Sequence, residues 1–255
     1  MKILVTGGAG FIGSHVAEAY LAAGHEVCVV DDLSTGFRRN VPKGARFYEV
    51  DIRSDRLDAV FAAEKPEVVS HQAARANVRE SFEKPLLYAD VNVLGSVNLL
   101  ECCRKHGTRK IIYASTGGAC YGEPQFLPVT EEHPINPVDP YGASKHHVEH
   151  FLSIYKSGFG IDFTILRYPN VYGPRQDPFG EAGVVAIFTG KMLNNAQPII
   201  NGTGDQERDF VYVGDIAGAN VLALDRAGGE ILNLGSGIPV SVNRIFEELN
   251  ELTGY

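Results

Sequence analysis

The sequence predicts an α/β protein built on a doubly wound parallel sheet. Three observations carry this. Apolar runs of strand length alternate with segments of helical spacing as far as Tyr168. The runs lack polar alternation, as strands buried on both faces do. A glycine-rich turn, TGGAGFIG (6–13), joins the first run to the first helical segment.

Taken in order, KILVT (2–6) reads as a buried strand. FIGSHVAEAYLAAG (11–24) has helical spacing and ends at Gly24, a C-terminal cap. EVCVVDD (26–32), RFYEVDI (46–52), EVVSH (67–71), RKIIYAS (109–115) and DFTILRY (162–168) continue the strand series. Helices are expected at 55–64, 86–105 and 141–157. Beyond Tyr168 the pattern loosens: 169–209 is rich in Gly, Pro, Asn and Asp, with one helix near 183–195. FVYVGDIAGANVLALDRA (210–227) reads as strand then helix. SVNRIFEELNELTG (241–254) is amphipathic, with Val242, Ile245, Phe246, Leu249 and Leu252 on one stripe.

Composition bounds the function. The chain has 255 residues, 44% of them hydrophobic, enough for a substantial core. Its net charge of -8, from 23 basic and 31 acidic residues, argues against nucleic acid as a partner. No uninterrupted apolar run is long enough for a membrane span, and a strand begins at residue 2, so neither a membrane nor a signal peptide is expected. Cys28, Cys102, Cys103 and Cys120 form no C-x-x-C pair, so no disulfide framework or zinc site is indicated, and a reducing cytoplasm is expected. No metal is expected.

The glycine turn is the first site. Gly7, Gly10 and Gly13 follow a strand and open a helix. Gly7 permits the tight turn, Gly10 lets amides approach a pyrophosphate at the helix N-terminus, and Gly13 allows close helix–strand packing. Asp31 stands at the tip of the second strand, where a carboxylate accepts from both ribose hydroxyls and repels a 2′-phosphate. NAD is therefore expected rather than NADP. Asp51 and Ile52 end the third strand, where they would flank the adenine.

The second site is YGASK. Tyr141 and Lys145 are four apart and share a helix face. An ammonium near a phenol favours the phenolate, and such a tyrosine can take a proton from a substrate hydroxyl while hydride leaves the same carbon.

Together these stretches resemble the extended short-chain dehydrogenase/reductase family, in its branch of nucleotide-sugar epimerases of the UDP-glucose 4-epimerase type. The resemblance runs over TGGAGFIG, DDLSTG (31–36), DIRS (51–54), HQAA (71–74), NVLGS (92–96), STGGACYG (115–122), YGASK, LRYPNVYGPRQDP (166–178) and RDFVYVGD (208–215). It implies a Rossmann-like NAD-binding domain (1–168 and 205–229) and a smaller, discontinuous UDP-sugar lobe (169–204 and 230–255). It implies a tightly held NAD that takes hydride from C4 of a UDP-sugar and returns it to the other face of the 4-keto sugar. Tyr141 is then the base, and Lys145 holds the nicotinamide ribose. Phe11, Ile12, Asp32, Ser34, Thr35, Gly36, Ala73, Ala74, Asn92 and Tyr168 line the cofactor, and Asn170 and Arg208 hold the nucleotide diphosphate. A homodimer through helices 86–105 and 141–157 is also implied.

The segment after the fifth strand sharpens the reaction. Related dehydratases and decarboxylases keep an acid there, whereas Gly117, Gly118 and Ala119 have no proton to give. This favours simple epimerisation. The family's usual hydroxyl position falls on Gly117, so the hydroxyl has to come from Thr116 or Ser115, with Thr116 favoured. Family members normally continue past Tyr255, so the sugar lobe is expected to be truncated. UDP-glucuronate and N-acetylated UDP-sugars stay open as substrates. A non-catalytic NAD-binding module stays open as a rival of another class. His146, His147 and His150 are read as surface or interface residues, His71 as a structural hydrogen-bond partner, and Cys102-Cys103 as helix core.

Overall fold

The structure, a computed structural model, describes residues 1–179 and 183–255; Gly180, Glu181 and Ala182, within the expected 169–204 lobe segment, lie outside the described residues. The chain runs β1 (Lys2–Thr6), α1 (Phe11–Ala22), β2 (Glu26–Asp31), β3 (Arg46–Glu49), α2 (Arg56–Glu64) and β4 (Val68–His71). It continues through α3 (Val78–Glu83), α4 (Pro85–Tyr88), α5 (Gly95–His106), β5 (Lys110–Thr116), α6 (Pro140–Phe159), β6 (Asp162–Tyr168) and β7 (Asn170–Tyr172). It ends with α7 (Val184–Leu193), β8 (Glu207–Tyr212), α8 (Val213–Leu222), β9 (Glu230–Asn233), β10 (Pro239–Ser241) and α9 (Val242–Thr253).

Seven strands form one parallel sheet in the order β3-β2-β1-β4-β5-β6-β9. Successive side chains feed opposite layers. Leu4 packs with Leu57, Phe61, Leu99 and Leu152 from α2, α5 and α6 on one face. Ile3 and Val5 pack with Val16, Tyr20 and Ile216 from α1 and α8 on the other. Each such buried side chain contributes roughly 1.5–3 kcal/mol, and burial on both faces is why the strands read as unbroken apolar runs. The chain leaves β1 toward β2 and β3, then returns to β4 on the other side. This reversal opens a crevice at the C-terminal ends of β1 and β4.

The expected division of the chain differs at two strands. β8, assigned with the NAD-binding part, pairs with β7 and β10 in a separate three-stranded sheet. β9, assigned to the lobe, pairs with β6 in the main sheet. α3, β7, β9 and β10 were not anticipated: at three to six residues each is too short to show a period. Gly24 follows α1 with φ +83, the left-handed conformation its cap position requires.

The expected helix over 86–105 is longer and less regular. α4 and α5 are joined without a break by a π turn over Ala89–Leu94. Among the described residues this Pro85–His106 helix is long and apolar enough to cross a membrane by length and composition, which a search for uninterrupted runs does not register because Asp90, Asn92 and Asn98 break the run. It packs against α2 and α6 in this fold.

Candidate active site

β1 delivers the glycine turn to the crevice. Gly7 has φ +68, and a Cβ there would lie 2.7 Å from the Ala73 amide nitrogen. A Cβ on Gly13 would lie 2.2 Å from the Gly7 carbonyl oxygen, so helix and turn approach as only glycine permits. Gly10 caps α1 without any side-chain acceptor. The first amides of that helix therefore point at an anion site.

A cavity of about 260 Å³ opens above this turn. It is lined by Gly7, Gly10, Phe11, Ile12, Asp31, Asp32, Ser34, Thr35, Asp51, Ile52, Ala73 and Ala74, all predicted from the sequence. Asp31 accepts from the Ala9 amide (2.9 Å) and the Leu33 amide (2.8 Å). Burial outweighs those two bonds and raises its carboxyl above the usual range, so further donors from a ribose would favour its charged form. Asp32 accepts from the Ser34 amide and hydroxyl, which shapes the loop after β2. Gly36 lies on the glycine turn, where a Cβ would sit 2.9 Å from the Ala9 carbonyl carbon. Asp51 is held by the Arg53 guanidinium at 3.0 Å, which keeps its carboxyl below the usual range. Val30, Val50 and Arg75 also line the cavity and were missed. The two valines looked like ordinary strand residues, and Arg75 sits in no motif.

Two predicted residues act from behind the cavity wall. Asn92, in the π turn, accepts from the Arg75 amide (2.8 Å) and donates to the Arg75 carbonyl and the Ser144 hydroxyl (both 2.9 Å). It clamps the loop after β4 to α6. Tyr168 donates to Gln72 Oε1 (3.2 Å) and accepts from Asn220 (2.8 Å). His71 is fully enclosed between the Thr6 hydroxyl (2.7 Å) and the Ser96 hydroxyl (2.8 Å), and burial pushes its imidazole down to about 3. It is neutral, and its bonds tie β1 and β4 to α5.

The chemical end is built by the start of α6. Asp139 caps this helix by accepting from the Gly142 amide (2.7 Å), with Pro140 at its first position. Gly142 is the residue sequence reasoning passed over. A Cβ there would lie 2.4 Å from the Ala119 carbonyl oxygen, so the first turn of α6 sits directly on the 117–119 turn. Tyr141 is half-buried beside Gly142, with its ring edge-on to Tyr88 at 6.5 Å. Lys145, one turn on, is buried with Nζ 4.2 Å from the centre of the Tyr113 ring. Burial brings its ammonium down to about 7, and Glu149 opposes that shift.

Thr116 and Ser115 separate clearly. Ser115 donates to Glu149 Oε1 at 2.6 Å, deep between β5 and α6. Thr116 ends the strand, and its oxygen accepts from the Ala119 amide at 3.2 Å. Its proton stays available to an acceptor in the site. On the lobe side, Asn170 in β7 pairs with Phe210 in β8 and is exposed. Arg208 is exposed two residues earlier on β8, on the same face of that small sheet. Gly117 donates its amide to the Tyr168 carbonyl (2.8 Å), which keeps the chain leading into β7 beside Thr116.

The profile of the NAD dependent epimerase/dehydratase family matches residues 3–235. A protein of Methanocaldococcus jannaschii, named provisionally as a UDP-glucose 4-epimerase, is 51% identical over 253 residues, which cover 99% of this chain and 83% of that protein. Among solved structures, the UDP-glucose 4-epimerase of Thermotoga maritima with UDP-glucose matches with a TM-score of 0.98 and 46% identity, over 100% of this chain and 83% of that one. The UDP-glucose 4-epimerase of Thermus thermophilus in complex with NAD matches with a TM-score of 0.95 and 48% identity, over 100% of this chain and 84% of that one. These matches run over the whole of this chain, which spans 83% and 84% of the two solved chains.

Proposed function

The chain belongs to the NAD-dependent epimerase/dehydratase family, and on that premise we propose that it interconverts the C4 epimers of a UDP-hexose, UDP-glucose and UDP-galactose, as an isomerase with NAD as cofactor. The uncapped N-terminus of α1 at Gly10 and the carboxylate of Asp31 fit a dinucleotide without a 2′-phosphate. NAD held there would supply a reversible hydride acceptor for C4 of the sugar.

The rest falls to this chain's own residues. Tyr141 takes the proton of the C4 hydroxyl as that carbon becomes a ketone, and gives it back when the 4-keto sugar has turned over. Lys145 would hold the nicotinamide ribose and would favour the charged form of the tyrosine. Thr116 donates a hydrogen bond to the sugar O4. Asn170 and Arg208 hold the diphosphate, for which the guanidinium fork is suited.

The observation that carries epimerisation is the contact of Gly142 with Ala119. It sets the 117–119 turn, which has no acid to expel a C6 hydroxyl, against the first turn of α6, which carries Tyr141. The experiment is proton NMR of the protein with UDP-glucose, UDP-galactose, UDP-glucuronate and UDP-N-acetylhexosamines, without added reductant. Appearance of the C4 epimer of UDP-glucose is expected. Conversion of only another sugar moves the substrate, and bound NAD with every sugar unchanged leaves a non-catalytic module. The Tyr141→Phe variant should retain NAD and lose turnover by about 100-fold or more; near-normal turnover removes Tyr141 as the base.

The same reading includes a cytoplasmic homodimer. Four buried, unpaired cysteines suit a reducing compartment. Leu86 and Leu94 on the long helix and Ile154 on α6 are exposed apolar side chains on the two helices expected to meet a second copy.

A further inference from the structure

One charged pair in the interior has no part in the chemistry above. Glu149 on α6 and Arg167 on β6 are each 3% exposed and bonded through both guanidinium arms, Nε to Oε1 at 3.0 Å and an Nη to Oε2 at 2.6 Å. Ser115 donates to the same carboxylate, and His146 lies 3.0 Å from it. The other Nη of Arg167 donates to the Tyr121 hydroxyl (2.6 Å), which donates to Asn233 on β9 (2.8 Å). A buried ion pair gives little stability over apolar residues of the same volume, so its presence calls for another reason.

Its position supplies one. Tyr141, Lys145 and Glu149 follow at four-residue steps and form one stripe of α6. Ser115 is the residue before Thr116. The carboxylate of Glu149 thus bonds the helix that carries the base to the strand that carries the hydroxyl. We infer that Glu149, locked by Arg167, is a positioning residue for the proton-handling pair: it fixes α6 against the tip of β5 and places a negative charge one turn below Lys145.

The surrounding groups agree on the sign. Lys145 is faced by Tyr113 on β5, by neutral His71 on β4, and by Tyr141 and Glu149 on its own helix. The charge of Glu149 favours the ammonium. Glu149 itself is faced by Arg167, His146, Ser115, and the Cys120-Tyr121 segment. Burial opposes its charge, but the bonds from Arg167 and Ser115 prevail and hold its carboxyl below the usual range.

The inference rests on the epimerase reading, and its test separates the two. The holoenzyme is labelled with 13C at lysine Cε, and Lys145 is assigned by its absence in a Lys145→Met spectrum. In Glu149→Gln the Lys145 midpoint should fall by about one unit, because an anion is removed and Arg167 is left as an unopposed cation. The pH window of kcat should move down with it. Glu149→Asp keeps the charge and should keep the midpoint. Where Glu149→Gln does not fold, Glu149→Gln/Arg167→Met removes both charges and should lower the midpoint less. An unchanged midpoint in a folded member of this pair of variants overturns the inference. A shifted midpoint in a protein that converts no UDP-sugar upholds it and overturns the epimerase reading instead.

Discussion

Adjacent hydroxyls at the end of β5 do different work because a strand turns successive side chains to opposite faces. Ser115 is directed into the space between β5 and α6 and is bound there by Glu149, whereas Thr116 keeps its proton. Thr116→Val should therefore lower kcat by about 100-fold with NAD still bound and only a small change in melting temperature. Ser115→Ala should cost about 1 kcal/mol of stability and lower kcat by less than tenfold. Steady-state kinetics and thermal melts of the two variants check this; the reverse order would move the hydroxyl role to Ser115. The glycine at 117 is no obstacle to a hydroxyl there, since a Cβ would meet only ordinary contacts, at 3.5 Å from the Tyr168 carbonyl oxygen. On the proposed reading the neighbouring Thr116 serves instead.

The start of α6 is where an element's geometry becomes chemistry. Asp139, Pro140 and Gly142 set where the helix begins and how close it comes to the 117–119 turn. Gly142→Ala would push a methyl to 2.4 Å from a backbone oxygen that has no free side chain to swing away. A loss of roughly 1–3 kcal/mol is expected, with a fall in kcat larger than the fall in NAD affinity, since only the chemical end is displaced. Gly118→Ala is the matched control: it meets nothing within 4 Å and should melt like the parent. Equal melting temperatures for the two variants would mean that the close approach is not a constraint. The π turn of the long helix is a second case, because it sets Asn92 between Arg75 and Ser144.

Across the whole molecule, two layers of helices cover a sheet whose strand order reverses at β1 and β4, and the crevice this creates receives residues from the ends of β1, β2, β3 and β4. The same helices that bury the sheet leave Leu86, Leu94 and Ile154 facing outward, at 84%, 61% and 56% exposure. A dimer made through them would cover that surface. Analytical ultracentrifugation should give a dimer for the parent and a monomer for Leu94→Glu/Ile154→Glu; a monomeric parent would rule out this association.

The main sheet, the cofactor turn and the Tyr141–Lys145 pair are legible in the chain because each is written locally. Buried parallel strands give continuous apolar runs, a pyrophosphate turn needs glycines at fixed steps, and a helix brings residues four apart to one face. The rest depends on partners far apart in sequence. β9 is recognisable only beside β6, where Glu230 pairs with Thr164. β7 and β10 are three residues each and exist because β8 lies between them. Gly142 reads as one glycine among many until Ala119 is placed against it. Ser115 and Thr116 are adjacent hydroxyls in the sequence, and it is the packing of α6 across β5, with Glu149 and Arg167 paired between them, that gives one hydroxyl to the interior and leaves the other to the site.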